Sequence, residues 1–406
     1  MTLNTSFPGE AASRSQTTTH PINFTDHTTT IMSTPTTETK TLTASCHCHS
    51  IQFSITLPKS SLPLKIHLCH CTICRYVHGA PCCFHTPLPD GVDLDFIAPS
   101  SKDKLTSYTH PSFRSRKWFC STCGCHIGDS SLTGEVSWTI STAIYDVHRE
   151  EEGIWKFNSH MCPGSTGDGG LSGVFRSVDG VELKMWDVDL PAVDSVTATA
   201  SVPVTDKPAL EDANANADPD TPADPDPNEK LLAQCHCGDV SFHISRPSPA
   251  FITSPASNTW LSPLDKTRWL ASLDLCDDCR LVTGTNVIGW MFVPVDHLTP
   301  APPPNLLVGS SKAYHSTEDV VRTFCGTCGA TVFYWCKERP EIVDVATGLL
   351  RAPEGVMAEK WAVWRSGRLG WPENGLRYHE GFARALIDGM KVWGKERGHA
   401  EEFVVP

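Results

Sequence analysis

Two stretches decide the fold: Cys69-His-Cys71-Thr-Ile-Cys74-Arg-Tyr-Val-His-Gly-Ala80 and Asp274-Leu-Cys276-Asp-Asp-Cys279-Arg-Leu-Val-Thr-Gly-Thr285. They share a C-x-x-C-R core followed by Val and Gly. Each is flanked in the same order by two further clusters. Upstream lie Cys46-His-Cys48 and Cys235-His-Cys237; downstream lie Cys120-x-x-Cys123-Gly124 and Cys325-x-x-Cys328-Gly329. From Cys74 to Cys120 is 46 positions, and from Cys279 to Cys325 is again 46. WFCSTCG matches TFCGTCG. The chain is therefore a diverged tandem repeat. Only the gap before the middle cluster differs, 23 positions from Cys48 to Cys71 against 39 from Cys237 to Cys276, so an insertion of 16 residues is expected within 250–270.

Outward from these clusters, the apolar pattern is that of strands. Ile51, Phe53, Ile55 and Leu57 alternate with polar residues after Cys48, and Val240, Phe242 and Ile244 do so after Cys237. Period-two alternation marks a half-buried strand, so each C-x-C enters one. Further strands are expected at 136–144 and 341–347. Each middle cluster suits a short helical turn. Phe382, Leu386, Met390 and Trp393 fall at helical spacing and predict a helix packed on the second half.

The 406 residues exceed one ordinary domain. Residues 1–43 hold 15 threonines and few large apolar residues, which predicts a disordered Thr/Ser-rich tail. Residues 191–230 are Pro-rich and acidic, which predicts a disordered linker. The domains expected are thus 44–190 and 231–400. A net charge of −13 disfavours nucleic acid as a partner. The longest apolar run, Val287–Val295, is nine residues and too short to span a membrane. No secretory signal is visible. The 18 cysteines are clustered as metal ligands are, which fits a reducing, cytoplasmic setting.

A tetrahedral zinc site takes four Cys or His ligands. Cys46, Cys48, Cys120 and Cys123 supply one set, and Cys235, Cys237, Cys325 and Cys328 a second. Closed four-thiolate sites of this kind are structural. The first half then has three cysteines to spare, Cys69, Cys71 and Cys74. Three ligands with one open position is the pattern of a catalytic zinc; closure by His70, His78 or Cys82 would make the site structural instead. In the second half, Asp274 stands where the first has Cys69. Asp274, Cys276 and Cys279 form a harder set, less suited to a thiolate-type metal site, and the second half is expected to be the degenerate one.

The cluster order, carried by CHCHSIQFSI, CHCTICRYVHGAP and FCSTCG, resembles the glutathione-dependent formaldehyde-activating enzyme family, which also contains centromere protein V. SHMCPGSTGDGGL at 159–171 is similar to a further family segment. The resemblance covers both halves. It implies a mainly β, Mss4-like zinc-binding fold in each. It also implies a structural zinc at the outer quartet and a reaction-centre zinc at Cys69, Cys71 and Cys74. The activity implied is that of a carbon–sulfur lyase, S-(hydroxymethyl)glutathione synthase, acting on glutathione (or another small thiol) and an aldehyde. The rival readings are a non-catalytic zinc-stabilised binding module and a redox or metal sensor. Two departures stand out: His49 occupies a position where the family has Gly, and the second half shows no clear partner for His160-Met-Cys-Pro-Gly-Ser.

Among other residues, Arg75 and Arg280 either meet a substrate carboxylate or cap carbonyl groups. Arg114, Arg116 and Lys117 either meet the glutathione carboxylates or form a solvated face. His160 and the pair Cys82-Cys83 are expected to be structural, and Cys125, Cys162 and Cys336 to behave as small apolar residues.

Overall fold

The computed structural model describes residues 38–146, 153–187, 202–203 and 226–399. The expected tail lies outside them as far as residue 37, and so does most of the expected linker. Thr39–Thr43, placed in the tail by composition, instead belong to the first strand.

In the first half, β1 (Thr39–Ser45) and β2 (Gln52–Pro58) form an antiparallel hairpin. Its turn carries Cys46-His47-Cys48. Phe53, Ile55 and Leu57 are fully buried, as the alternation requires. His49 takes a left-handed conformation (φ 56°), as Gly238 does in the other half (φ 83°). There follow β3 (Leu64–Cys69), α1 (Thr72–His78), β4 (Cys83–Pro87) and β5 (Asp95–Phe96). β6 (Leu105–Tyr108), β7 (Ser115–Cys120), β8 (His126–Ser131), β9 (Trp138–Ser141) and β10 (Trp155–Met161) complete the repeat. The main sheet runs β6-β7-β8-β9-β4-β3-β10, with β1-β2-β5 as a small second sheet. Beyond it come α2 (Gly170–Val174), the small hairpin β11 (Ser177–Val178) and β12 (Val181–Glu182), and then β13 (Lys184–Asp187) and β14 (Val202–Pro203), which extend the main sheet at its β10 edge.

The second half repeats this plan strand for strand. β15 (Lys230–Gln234) and β16 (Ser241–Ser245) form the hairpin. The 16-residue surplus includes two short helices, α3 (Pro249–Thr253) and α4 (Ser257–Trp260). Then come β17 (Trp269–Asp274), α5 (Asp277–Thr283), β18 (Ile288–Pro294), β19 (Leu298–Thr299), β20 (Ser311–Thr317), β21 (Val320–Cys325), β22 (Thr331–Cys336), β23 (Ile342–Ala346) and β24 (Ala362–Trp364). The order β20-β21-β22-β23-β18-β17-β24 matches that of the first half. β24 pairs parallel with β17 as β10 pairs parallel with β3. The segment that the second half lacked in sequence is therefore present in space, at 361–371. Asp274 bridges Gly370 there, as Cys69 pairs with Met161.

The two halves are not beads on a tether. One hydrophobic cluster runs through both, from Ile66, Phe84 and Phe157 to Phe333 and Val345. Their contact is reciprocal: a residue of one half and its counterpart in the other make the same bond. His47 N–H donates to Leu281 O (3.2 Å), and His236 N–H to Tyr76 O (3.1 Å). His47 Nδ1 meets the Tyr314 hydroxyl at 2.6 Å, and His236 Nδ1 that of Tyr108 at 2.9 Å. Phe119 and Phe324 face each other edge to face. Gly79 and Gly284, the left-handed caps of α1 and α5, lie against the partner half's backbone. A Cβ on Gly79 would stand 2.2 Å from Thr331 O, and one on Gly284 2.2 Å from His126 O.

α6 (Pro372–Tyr378) leads into α7 (Glu380–Glu396), the expected helix. It buries Phe382, Leu386, Met390 and Trp393, but it does not confine itself to the second half. Phe382 packs on Phe84, Phe157 and Phe175 of the first half, at centroid distances of 5.1, 5.3 and 5.7 Å. The Asp-Gly-Gly segment works in the same direction. The Asp168 carboxylate accepts the N–H groups of Gly170 (2.9 Å) and of Met357 in the other half (2.7 Å).

Gly284→Ala tests the contact between halves, with Gly91→Ala as its control. Both glycines have positive φ, but a Cβ on Gly91 meets nothing within 4 Å. The control should lose only the left-handed strain of about 1 kcal/mol, and Gly284→Ala roughly 3 kcal/mol or more. Denaturant midpoints of the two full-length variants check this.

Candidate metal centres

The C-x-C hairpin turn and the C-x-x-C knuckle are far apart in sequence and meet at one point. In the first half, Cys46, Cys48, Cys120 and Cys123 place all four sulfurs within 4.8 Å of one another. The Cys46–Cys48 and Cys48–Cys120 separations are 3.5 and 3.6 Å. Cys235, Cys237, Cys325 and Cys328 do the same, with 3.4 and 3.5 Å for the matching pairs. Sulfurs at the corners of a tetrahedral zinc thiolate site stand about 3.8 Å apart, given a Zn–S bond of about 2.3 Å. Both quartets therefore have the dimensions to hold such an ion. Backbone N–H groups already point at the sulfurs: Ile51 at Cys46, Thr122 at Cys120, Val240 at Cys235 and Cys328 at Cys325, each at 3.4 Å. Such donors favour the thiolate. Hydrogen bonds from Cys120 first, and from Cys123 next, hold Cys48 well below the ordinary thiol range.

The middle cluster of the first half sits where β3 ends and α1 begins. Cys69, Cys71 and Cys74 bring their sulfurs within 4.8 Å, with Cys69 donating to Cys71 at 3.5 Å. Cys71 is the N-cap of α1 and accepts the Cys74 N–H at 3.4 Å. Hydrogen bonding from Cys69 and then Cys71 pulls the Cys74 thiol down, and the Lys117 ammonium acts in the same sense. Cys162 is not an isolated core residue. It hydrogen-bonds Cys69 and raises its pKa, so a fourth sulfur borders the triad.

Arg75 is buried and caps carbonyls, Nε to His70 O at 3.0 Å and Nη2 to Ser165 O at 3.2 Å. Arg280 is likewise committed to Ala143 O and to Asp277. His160 is structural: it bonds Phe175 O at 3.1 Å and His70 Nε2 at 2.8 Å. Arg114 and Arg116 are exposed, but Lys117 is buried and paired with Asp129, so it is not available to glutathione. His78, Cys83 and His85 form a further buried group within 4.8 Å, which the sequence did not suggest. Comparing the repeats position by position would have drawn attention to it, because Thr283, Ile288 and Trp290 replace all three.

The second middle cluster also converges. Asp274, Cys276 and Cys279 lie within 4.8 Å. Its surroundings differ. Asp274 Oδ1 accepts the Cys276 N–H at 2.8 Å, and Oδ2 accepts Trp290 Nε1–H at 3.2 Å and the Cys279 thiol at 3.4 Å. Arg322 donates from Nη1 to Cys279 Sγ at 3.2 Å. Arg322 is the counterpart of Lys117, each lying three residues before the knuckle. Lys117 faces Asp129 across β7 and β8, whereas Arg322 faces Tyr334 across β21 and β22. The first half neutralises its buried cation with a carboxylate. The second turns its cation onto a cysteine of the cluster.

This is a repeated β protein built around cysteine clusters that could hold metal ions. A family model, the glutathione-dependent formaldehyde-activating enzyme, matches residues 41–156 and 264–366, together more than half of the chain. The chain belongs to that family. The second match begins after Cys235 and Cys237, yet the structure completes that quartet with them. No curated protein matches the chain. Among the described residues, no helix is long and apolar enough to cross a membrane.

Burial makes the site region sensitive to acid. It depresses His126 to about 3 and His160 to about 4, below the ordinary value near 6.5. The unfolded chain therefore binds these protons first. Their contribution to stability is complete above about pH 6.5 and is lost as pH falls toward 4, at roughly 1.4 kcal/mol per unit for each histidine. His126→Gln should make the stability–pH curve shallower by about one proton between pH 6 and 4. Denaturant unfolding of the two proteins at matched pH measures the difference, and identical slopes would refute it.

Proposed function

We propose that the first half is a zinc-dependent enzyme of the carbon–sulfur lyase type. In this reading it joins glutathione, or a similar small thiol, to formaldehyde and gives S-hydroxymethylglutathione. Cys69, Cys71 and Cys74 would hold the reaction-centre zinc. Cys46, Cys48, Cys120 and Cys123, and Cys235, Cys237, Cys325 and Cys328, would hold structural zinc ions. The observation that carries the proposal is the intact thiol triad beside a lysine already neutralised by Asp129. Zinc in this position would supply a Lewis acid able to lower the pKa of a thiol or polarise an aldehyde oxygen.

The residues of the chain do the rest. In the reaction a bond forms between the thiol sulfur and the aldehyde carbon, and the thiol proton ends on the carbonyl oxygen. Arg75 and Ser165 both grip the His70 carbonyl, at 3.0 Å each, and so fix the loop that presents the three cysteines. The Lys117–Asp129 pair places a positive end toward Cys74 without leaving a net charge, and favours its thiolate. The clustered free thiols support a reducing, cytoplasmic setting. A closed, non-catalytic zinc module is the second reading, and the contact of Cys162 with Cys69 favours it.

The clusters should separate by mutation. Cys123→Ser should cost more than about 4 kcal/mol, as loss of a structural metal site does. Cys71→Ser should keep most of the stability and abolish the exchange of formaldehyde with glutathione, followed by NMR. Equal loss of stability in both variants would favour the module. Elemental analysis of the wild type should give about three zinc ions per chain.

A further inference from the structure

The second middle cluster has kept its two cysteines and lost the conditions for a metal. Asp274, in place of a thiolate, has both oxygens occupied by Cys276 N–H, the Cys279 thiol and the Trp290 indole. The Arg322 guanidinium, almost fully buried, lies 3.2 Å from Cys279 Sγ. Its further contacts among the described residues are neutral: Ser316 Oγ at 3.1 Å and the Tyr334 ring at 4.8 Å. A buried cation needs an anion beside it. Here the Asp274 carboxylate is the anion nearby, with the Cys279 sulfur between it and Arg322, and a divalent ion among them would face a fixed positive charge. What remains is a dithiol. Cys276 caps the start of α5 and is half-exposed; Cys279, three residues on, is buried against the guanidinium. The two sulfurs lie within 4.8 Å, and residues three apart on a helix are neighbours.

We propose that Cys276 and Cys279 form a thiol–disulfide exchange centre that acts on small disulfides of the glutathione-disulfide class. Cys276 Sγ is the accessible sulfur and attacks one sulfur of the substrate. The substrate S–S bond breaks, a mixed disulfide forms on Cys276 and one thiolate leaves. Cys279 Sγ, whose proton already points at Asp274 Oδ2, passes that proton to the carboxylate and attacks the Cys276 sulfur. The second substrate thiolate leaves and the Cys276–Cys279 bond closes. Two electrons pass from the protein dithiol to the substrate, and the two protons given up by the cysteines appear on the two released thiols. Excess glutathione runs the sequence backwards. This activity is independent of the lyase reading of the first half, since no residue is shared.

The full-length protein is equilibrated at graded ratios of glutathione to glutathione disulfide, blocked with an alkylating agent and digested with trypsin. Cleavage after Arg268 and Arg280 gives a peptide, residues 269–280, whose only cysteines are Cys276 and Cys279. In excess disulfide the wild-type peptide should be lighter than its dithiol form by two hydrogens, and in excess glutathione it should return to the doubly alkylated form. Cys279→Ser should trap glutathione on Cys276, and Cys276→Ser should carry at least tenfold less adduct. Zinc content should be unchanged in both variants. A peptide that stays fully reduced at every ratio, equal adduct in the two variants, or the loss of one zinc ion on either substitution would overturn the proposal.

Discussion

Four sulfurs gathered at one point are the constraint on which each half depends. The hairpin turn at Cys46–Cys48 and the knuckle at Cys120–Cys123 are separated by the whole middle of the repeat. Strand pairing does not join them directly, because they belong to different sheets. Cohesion among polarisable thiols is weak, and a thiol in an apolar interior gains little from its S–H. A metal ion held by the four would add far more, because its affinity would enter as folding free energy. Once the quartet is closed, β7 and the hairpin are fixed relative to each other. The β3–α1 junction is then held over β4 with its own sulfurs converging.

The quartets also organise the contact between halves. The residue inside each C-x-C, His47 or His236, is the one that reaches across to a tyrosine and to a helix carbonyl of the other half. The same turn that offers two thiols therefore offers an imidazole to the interface. The α1 and α5 helices end on glycines so that the chain can pass within contact of the opposite backbone. This reciprocity is that of a symmetric dimer, made here within one chain. A covalent link then lets the copies diverge separately, which two identical subunits could not do.

The divergence is local and electrostatic. The first half places Lys117 opposite Asp129; the second places Arg322 opposite Tyr334. Removing one carboxylate leaves a buried guanidinium to find another acceptor, and it takes the Cys279 sulfur. Cys69 becomes Asp274 in the same cluster, and the trio His78, Cys83 and His85 becomes Thr283, Ile288 and Trp290. These changes act together, since an indole now donates to the new carboxylate. A thiol site and a polar dithiol site thus share one backbone.

The repeat, its cluster order and the membership of both quartets were legible in the sequence, because ligand spacing is set by short turns that any chain must write locally. The strands after each C-x-C were legible for the same reason: burial of one sheet face imposes alternation over a few residues. Other features were decided only by tertiary structure. Nothing local in Gly79, Gly284 or His47 states that they meet the other half, and composition suggested two tethered domains instead of one shared core. The helix at 380–396 showed its apolar stripe, but not that Phe382 would pack on first-half phenylalanines. The partner of β17 at 361–371 escaped notice because a parallel edge strand is fixed by its position and not by a motif. The charge state of each middle cluster depends on which residue faces position 117 or 322 across a strand pair, and register places that residue at its partner only when the sheet forms.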